Sequence, residues 1–189
     1  MKQIELIDVD MMWCDVENAY IDANGIQKLL VQFGSWLKEF KVNDRPFNEW
    51  IFEVTTNAGI EPIMTLAMLQ KESSLVQKYS TRPKDKVLDY CLGFGCPENG
   101  TRNPNYQGFE KQINSMLDAF SNKYLKWNEI INYASTPIYL YDTKEKVLAG
   151  NKETALHLLY NPRYEGVKLL KDIWDRYYSI CDKLNILNA

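Results

Sequence analysis

The stretch GIEPIMTLAMLQKESSLVQKY, residues 59–79, decides how the chain is read. Pro62 suits the first turn of a helix, where a missing N–H costs no bond, and Gly59 suits the end of a preceding helix. The spacing predicts a helix over about 62–79. Residues three and four apart share a helical face, so Thr65, Met68, Leu69, Glu72, Leu75, Val76 and Tyr79 form one stripe. Ile63, Leu66, Ala67 and Gln70 widen the buried arc, leaving Lys71, Gln77 and Lys78 on the wetter side. One carboxylate, Glu72, thus faces an apolar stripe. Burial disfavours the ionised form of an acid, and a general acid for glycosidic cleavage must still hold its proton when it meets the leaving oxygen. The structural alternative is a glutamate at the edge of the stripe, paired with a lysine or arginine. Periodicity establishes only that the position can tune a proton affinity.

The flanking sequence is also helical. NGIQKLLVQFGSWLKEF places Ile26, Leu29, Leu30, Phe33, Leu37 and Phe40 on one face, with Asn24 and Gln27 as a capping box. PFNEWIFEV turns Phe47, Trp50, Ile51 and Val54 inward. A short helix is expected in KDKVLDYCLG, followed by the glycine-rich and proline-rich loop GFGCPENGTRNPN. From Tyr106, the residues Phe109, Ile113, Met116, Leu117, Phe120 and Tyr124 predict a long central or clamping helix. PIYLYDTKEKVLAG reads as a small β-hairpin around residues 137–149. ETALHLLY after Asn151 is a short helix, and a last one carries Val167, Leu170, Ile173, Trp174, Tyr177 and Cys181 inward. The expected fold is mainly α (α+β), one domain over 1–189 with residues 1–20 as an N-terminal extension.

Composition narrows the function classes. With 189 residues, the chain can bury roughly 68–75% of its unfolded surface without metals or cross-links. A content of 46% hydrophobic and 25% charged residues marks an ordered chain. Net charge is −3 with no block of like charges, which argues against a nucleic-acid partner. No 18-residue apolar run predicts a transmembrane segment, and MKQIELIDVDMMW lacks the pattern of a secretory signal. Cysteines 14, 91, 96 and 181 lack the spacing of a strong metal site, and their pairing stays open. The single histidine, His157, reads as a packing or surface residue, and no cofactor or metal is implied.

A sugar-cleaving site needs a groove around its acid. The loop 93–105 and the helix after it can supply one wall, with Tyr106, Gly108 and Gln112 as substrate contacts; Tyr141 and Tyr160 are further candidates. Asp85, Asp89, Glu98 and Glu110 are the candidate second carboxylates, and none has a distinguishing pattern.

Four segments, NAGIEPIMTLAMLQKESSLV, LDYCLGFGCPENG, NPNYQGFEKQI and NKETALHLLYNPRY, together resemble the lysozyme-like peptidoglycan hydrolases, closest to their soluble lytic transglycosylase-like and glucosaminidase-like branches. With IDANGIQKLLVQFGSWL, which is similar to the helix that precedes the catalytic domain in that branch, the resemblance spans about residues 20–178. It implies a lysozyme-like fold and gives Glu72 of LQKESSL the acid role. It also implies groove positions for Tyr106, Gly108, Phe109 and Gln112, and carries over Asn151, Thr154, Tyr160 and Pro162. The implied activity is cleavage of β-1,4 bonds in peptidoglycan by a single glutamate, as a lytic transglycosylase, muramidase or N-acetylglucosaminidase. A catalytically silent wall-binding or structural module is the alternative. The implied partner is the glycan strand at the bacterial cell wall or outside the cell, with delivery by a phage-tail, secretion or conjugation machine left unspecified. Ser73 and the YNP ending depart from the closest branch.

Overall fold

The computed structural model describes residues 1–97 and 100–188. Helix accounts for 53% and strand for 8%, which makes the protein mainly α with small sheets. In chain order the elements are β1 (Lys2–Ile4), α1 (Val9–Met12), α2 (Ala23–Gln32), β2 (Lys41–Val42), β3 (Arg45–Pro46), α3 (Phe47–Asn57), α4 (Pro62–Ser73), α5 (Asp85–Leu88), α6 (Phe109–Asp118), α7 (Asn128–Ile131), β4 (Ile138–Tyr139), β5 (Lys146–Ala149), α8 (Lys152–Tyr160) and α9 (Tyr164–Lys183). Among the described residues no helix is long and apolar enough to cross a membrane.

α4 is the axis of the molecule. Every residue from Pro62 to Leu69 is buried, and the helix packs along α9, which turns in the six residues its periodicity predicts, from Val167 to Cys181. The central position expected for the helix after Tyr106 therefore belongs to α4. α6 keeps Lys111 and Asn114 in solvent and buries one face only. Its first turn is pinned by aromatic packing, with the Phe109 ring 5.3 Å from Phe40, 6.0 Å from Phe47 and 6.2 Å from Trp50.

α4 ends at Ser73, well short of the predicted 79. Ser74 takes a left-handed conformation, φ +57°, which no glycine or proline in ESSLVQKY announced. Two side chains support that end: Ser73 Oγ donates to Leu69 O at 3.0 Å, and Gln70 Oε1 accepts from Gln77 N at 3.0 Å. Leu75 and Val76 are still buried, but through a turn rather than along a continued stripe. α2 is likewise shorter than predicted, because Gly34 at φ +60° breaks it from a 3-10 turn at Trp36–Glu39. Its cap is Asp22, accepting from Gly25 N at 2.6 Å, in place of the Asn24 and Gln27 box.

The hairpin of β4 and β5 forms as read, pairing Ile138 with Val147 and Tyr139 with Lys146. β1 adds to it in parallel, Lys2 to Val147 through Ile4 to Ala149. Residues 1–20 are packed into the common core through Ile4, Ile7, Met11 and Met12. α8 fastens them. Thr154 Oγ1 accepts from Leu6 N at 2.9 Å and Ile7 N at 3.0 Å, Asn151 Nδ2 donates to Ile7 O at 2.7 Å, and Trp13 Nε1 donates to Glu153 Oε1 at 2.8 Å.

Candidate active site

Because α4 stops one residue after it, Glu72 lies at an open helix end instead of inside the apolar stripe. Its side chain is 24% exposed, and Lys71 Nζ bonds its Oε1. Lys71 is the more enclosed partner, 7% exposed, and its charge reaches His157. That corrects its place on the wetter side: the aliphatic stem covers apolar surface while the ammonium meets a carboxylate.

Tyr160, at the end of α8, is a predicted contact that feels the charge of Glu72. Burial, with the Glu72 carboxylate as second cause, holds its phenol protonated well above the ordinary range. The hydroxyl donates to Leu92 O, so its oxygen remains available as an acceptor. The ring lies nearly parallel to Phe94 at 5.7 Å and edge-on to Phe120 at 5.3 Å. Phe94 in turn meets Tyr106 at 6.2 Å, so the loop after Cys91 closes against Tyr160 through its own aromatic residue.

The loop's shape has identifiable causes. Gly95 sits at φ +73°, and a Cβ there would lie 2.8 Å from the Tyr106 ring. Gly108 stands at φ +112°, an angle that demands glycine, and among the described residues nothing lies within 4 Å of where a Cβ would be. Gln112 is fully buried, with Oε1 accepting from Leu92 N at 3.2 Å and Phe94 N at 3.1 Å, and Nε2 donating to Phe94 O at 2.9 Å and Tyr106 O at 2.6 Å. Gln112 is therefore the staple of the loop, and the expectation of a substrate contact there gives way to a positioning role.

Tyr141 is not drawn into this group. It is 50% exposed, packs edge-on against Tyr139 at 5.5 Å, and its amide donates to Pro162 O at 2.8 Å. Asn151 caps α8 by accepting from Thr154 N at 2.8 Å, so it and Thr154 serve the fold. Of the candidate second carboxylates, Asp85 is paired with Arg82, Asp89 accepts from Gln107 Nε2 at 3.0 Å, and Glu110 accepts from Asn43 Nδ2 at 3.1 Å. Glu98 lies outside the described residues.

Two features escaped the sequence reading. Tyr124, assigned there to an apolar helical face, follows a π turn at Ala119–Lys123 that resets the register, and its half-buried phenol lies near those of Tyr160 and Tyr106. π turns recur at functional sites. The other feature is Glu61, wholly buried at the start of α4. Tyr20 N donates to its Oε2 at 3.2 Å, the Cys14 thiol also bonds the carboxyl, and burial pushes it up to about 7. Its signal was present in GIEPIM, an acid enclosed by apolar neighbours.

Cys14 lies beside Glu61 on a cleft of about 670 Å³ rimmed by Asp15, Asn57, Asn114, Ser121 and Asn122. Glu72 is not part of that cleft. Burial, reinforced by Glu61, drives the Cys14 thiol far above its ordinary range, so the cleft's one thiol is a poor nucleophile. The Glu72 surface gathers an acid, a phenol that feels its charge and the aromatic rings packed on that phenol. All four cysteines are free thiols, and among the described residues no three His, Cys, Asp or Glu side chains converge as a metal site. Compared with known proteins, the chain matches no family model, no curated protein and no solved structure.

Proposed function

We propose that the protein has a lysozyme-like fold and cleaves β-1,4 glycosidic bonds in the glycan backbone of peptidoglycan, with Glu72 as general acid. The observation that carries this reading is the meeting of Glu72, at the open end of a buried helix, with Tyr160 and the loop that Gln112 staples. The four-segment resemblance supplies the substrate class.

In this mechanism, substrate entry opens the Lys71–Glu72 pair, the freed Glu72 carboxylate takes up a proton from solvent, and it donates that proton to the glycosidic oxygen as positive charge grows on the adjoining sugar. The C–O bond breaks, and the carboxylate left behind then accepts a proton from the incoming nucleophile. Asp85, Asp89 and Glu110 are engaged elsewhere. That favours displacement by the substrate's own 6-hydroxyl or acetamido group, or by water, with Glu72 acting as acid and then base. The Tyr160 oxygen accepts a hydrogen bond from a sugar hydroxyl.

Digestion of purified peptidoglycan by the native protein and by Glu72→Gln, with mass analysis of the products, tests the reading. Anhydro-muramyl, reducing muramic or reducing glucosamine ends identify the reaction. Equal digestion by both proteins removes Glu72 as the acid. Binding of peptidoglycan with no cleavage by the native protein establishes the silent wall-binding module instead.

A further inference from the structure

We infer that Lys71 sets the substrate class of the Glu72 site, by exchanging its carboxylate partner for one carried on a muramyl unit; this rests on the reading of the site as a glycan-cleaving one. Lys71 and Glu72 are consecutive in the last turn of α4. The charge of Lys71 reaches His157 and that of Glu72 reaches Tyr160, three residues apart on α8, so the ion pair lies alongside that helix. α8 gives the ammonium no anion. Burial, helped by Lys71, lowers His157 to about 3 and keeps its ring neutral, and burial keeps the Tyr160 phenol protonated. Glu153, the carboxylate of the same helix, is engaged by Trp13 Nε1 at 2.8 Å. Among the described residues Glu72 is the one carboxylate that pairs with Lys71, whose side chain is 7% exposed.

The consequence falls on the first step of the reaction. Glu72 Oε1 is occupied by the ammonium, so the bond must open before that oxygen can serve the glycosidic one. A neutral sugar offers the displaced ammonium dipoles only, whereas a substrate carboxylate restores a full ion pair. Muramyl units carry such a group, on a free lactyl ether or on the stem peptide, and glucosamine units do not. Lys71 is thus a specificity residue. It holds Glu72 against neutral glycans and releases it where an anion arrives.

The experiment measures digestion, by the full chain, of two glycans and their amidated forms. One is peptidoglycan stripped of stem peptides, with free lactyl carboxyls; the other is intact peptidoglycan, with its carboxyls on the stem. Carbodiimide coupling with ammonia converts each carboxyl to a neutral amide of nearly the same size. Amidation is expected to slow native cleavage about tenfold or more. A loss in the stripped series places the partner on the lactyl group, and a loss in the intact series places it on the stem peptide; either bears the inference out. Lys71→Arg, which keeps the charge, retains the discrimination. Lys71→Met, compared after circular dichroism has established its folding, cleaves free and amidated forms at similar rates, whereas a merely structural role would lower both rates and leave their ratio alone. Equal native rates on free and amidated glycans in both series, with cleavage dependent on Glu72, overturn the inference and leave the proposed function standing. Discrimination that survives in Lys71→Met overturns it too. A native protein that digests none of these glycans overturns both.

Discussion

Glu61 and Glu72 stand at the two ends of α4, roughly 16 Å apart along the helix, and their surroundings are opposite. Glu61 is sealed among the start of α4, the Tyr20 segment, Cys14 and Cys181, with its carboxyl pushed up to about 7 by burial. Glu72 is partly open, charge-paired with Lys71 and close to a phenol. Judged by burial alone, Glu61 looks more like a catalytic acid than Glu72 does. The difference teaches that a tuned proton is useful only where a substrate can reach it, and no substrate reaches a carboxyl enclosed by Tyr20 and two cysteines.

The largest expected effect separates the two ends by activity. Glu72→Gln lowers peptidoglycan cleavage by about 10²–10⁴-fold, the usual worth of a positioned acid, whereas Glu61→Gln digests at close to the native rate. Equal losses in the two variants would break the distinction. Glu72→Gln also leaves the enclosed Lys71 without its carboxylate, so its thermal stability belongs beside its rate. Lys71→Met in the Glu72→Gln background recovers that stability without recovering cleavage.

Stability against pH comes next. Folded Glu61 holds its proton more tightly than the unfolded chain, so its stabilising contribution is complete below about 4.5 and is lost as pH rises through about 7. His157 has the opposite sign. Burial, helped by Lys71, lowers it from 6.5 to about 3, so its contribution is present above 6.5 and is lost as pH falls toward 3. Denaturant unfolding of the native protein is therefore nearly flat between about 4.5 and 6.5, where the two slopes oppose each other. Glu61→Gln leaves the His157 slope alone in that window and raises stability above pH 7 by on the order of 3 kcal/mol. A native curve that rises steadily from pH 5 to 8 would contradict the buried-acid description.

A smaller effect sharpens the Glu72 end. Gln112→Ala removes four hydrogen bonds of a buried side chain and costs about 2 kcal/mol or more. It also loosens the wall at Phe94 and Tyr106, so cleavage falls further than stability alone explains, while the Glu61-dependent pH slope is retained. The smallest effect is a control. Asp22→Ala removes the α2 cap, which touches neither carboxylate, and costs about 1 kcal/mol in thermal unfolding with unchanged rate per folded molecule.

Legibility followed the range of the interactions. The α9 face from Val167 to Cys181 and the β4–β5 pairing depend on neighbours a few residues away, and both were readable from spacing. The hydrogen bonds of Gln112 were not legible from spacing, since its partners, Leu92, Phe94 and the Tyr106 carbonyl, meet only when the loop closes. The early end of α4 was hidden because a serine, rather than a glycine, occupies the left-handed position. Tyr124 was hidden because one π turn changes the face on which later residues fall.

The sequence by itself determined a mainly helical chain with the β4–β5 hairpin and a glutamate near the end of a core helix, because periodicity and capping act over one or two turns. Only the tertiary structure decided which glutamate is sealed and which is open, that β1 completes the sheet, and that Tyr160 packs between Phe94 and Phe120. These depend on contacts between residues far apart in the chain, and exposure at one end of α4 is set by what the rest of the molecule places over it.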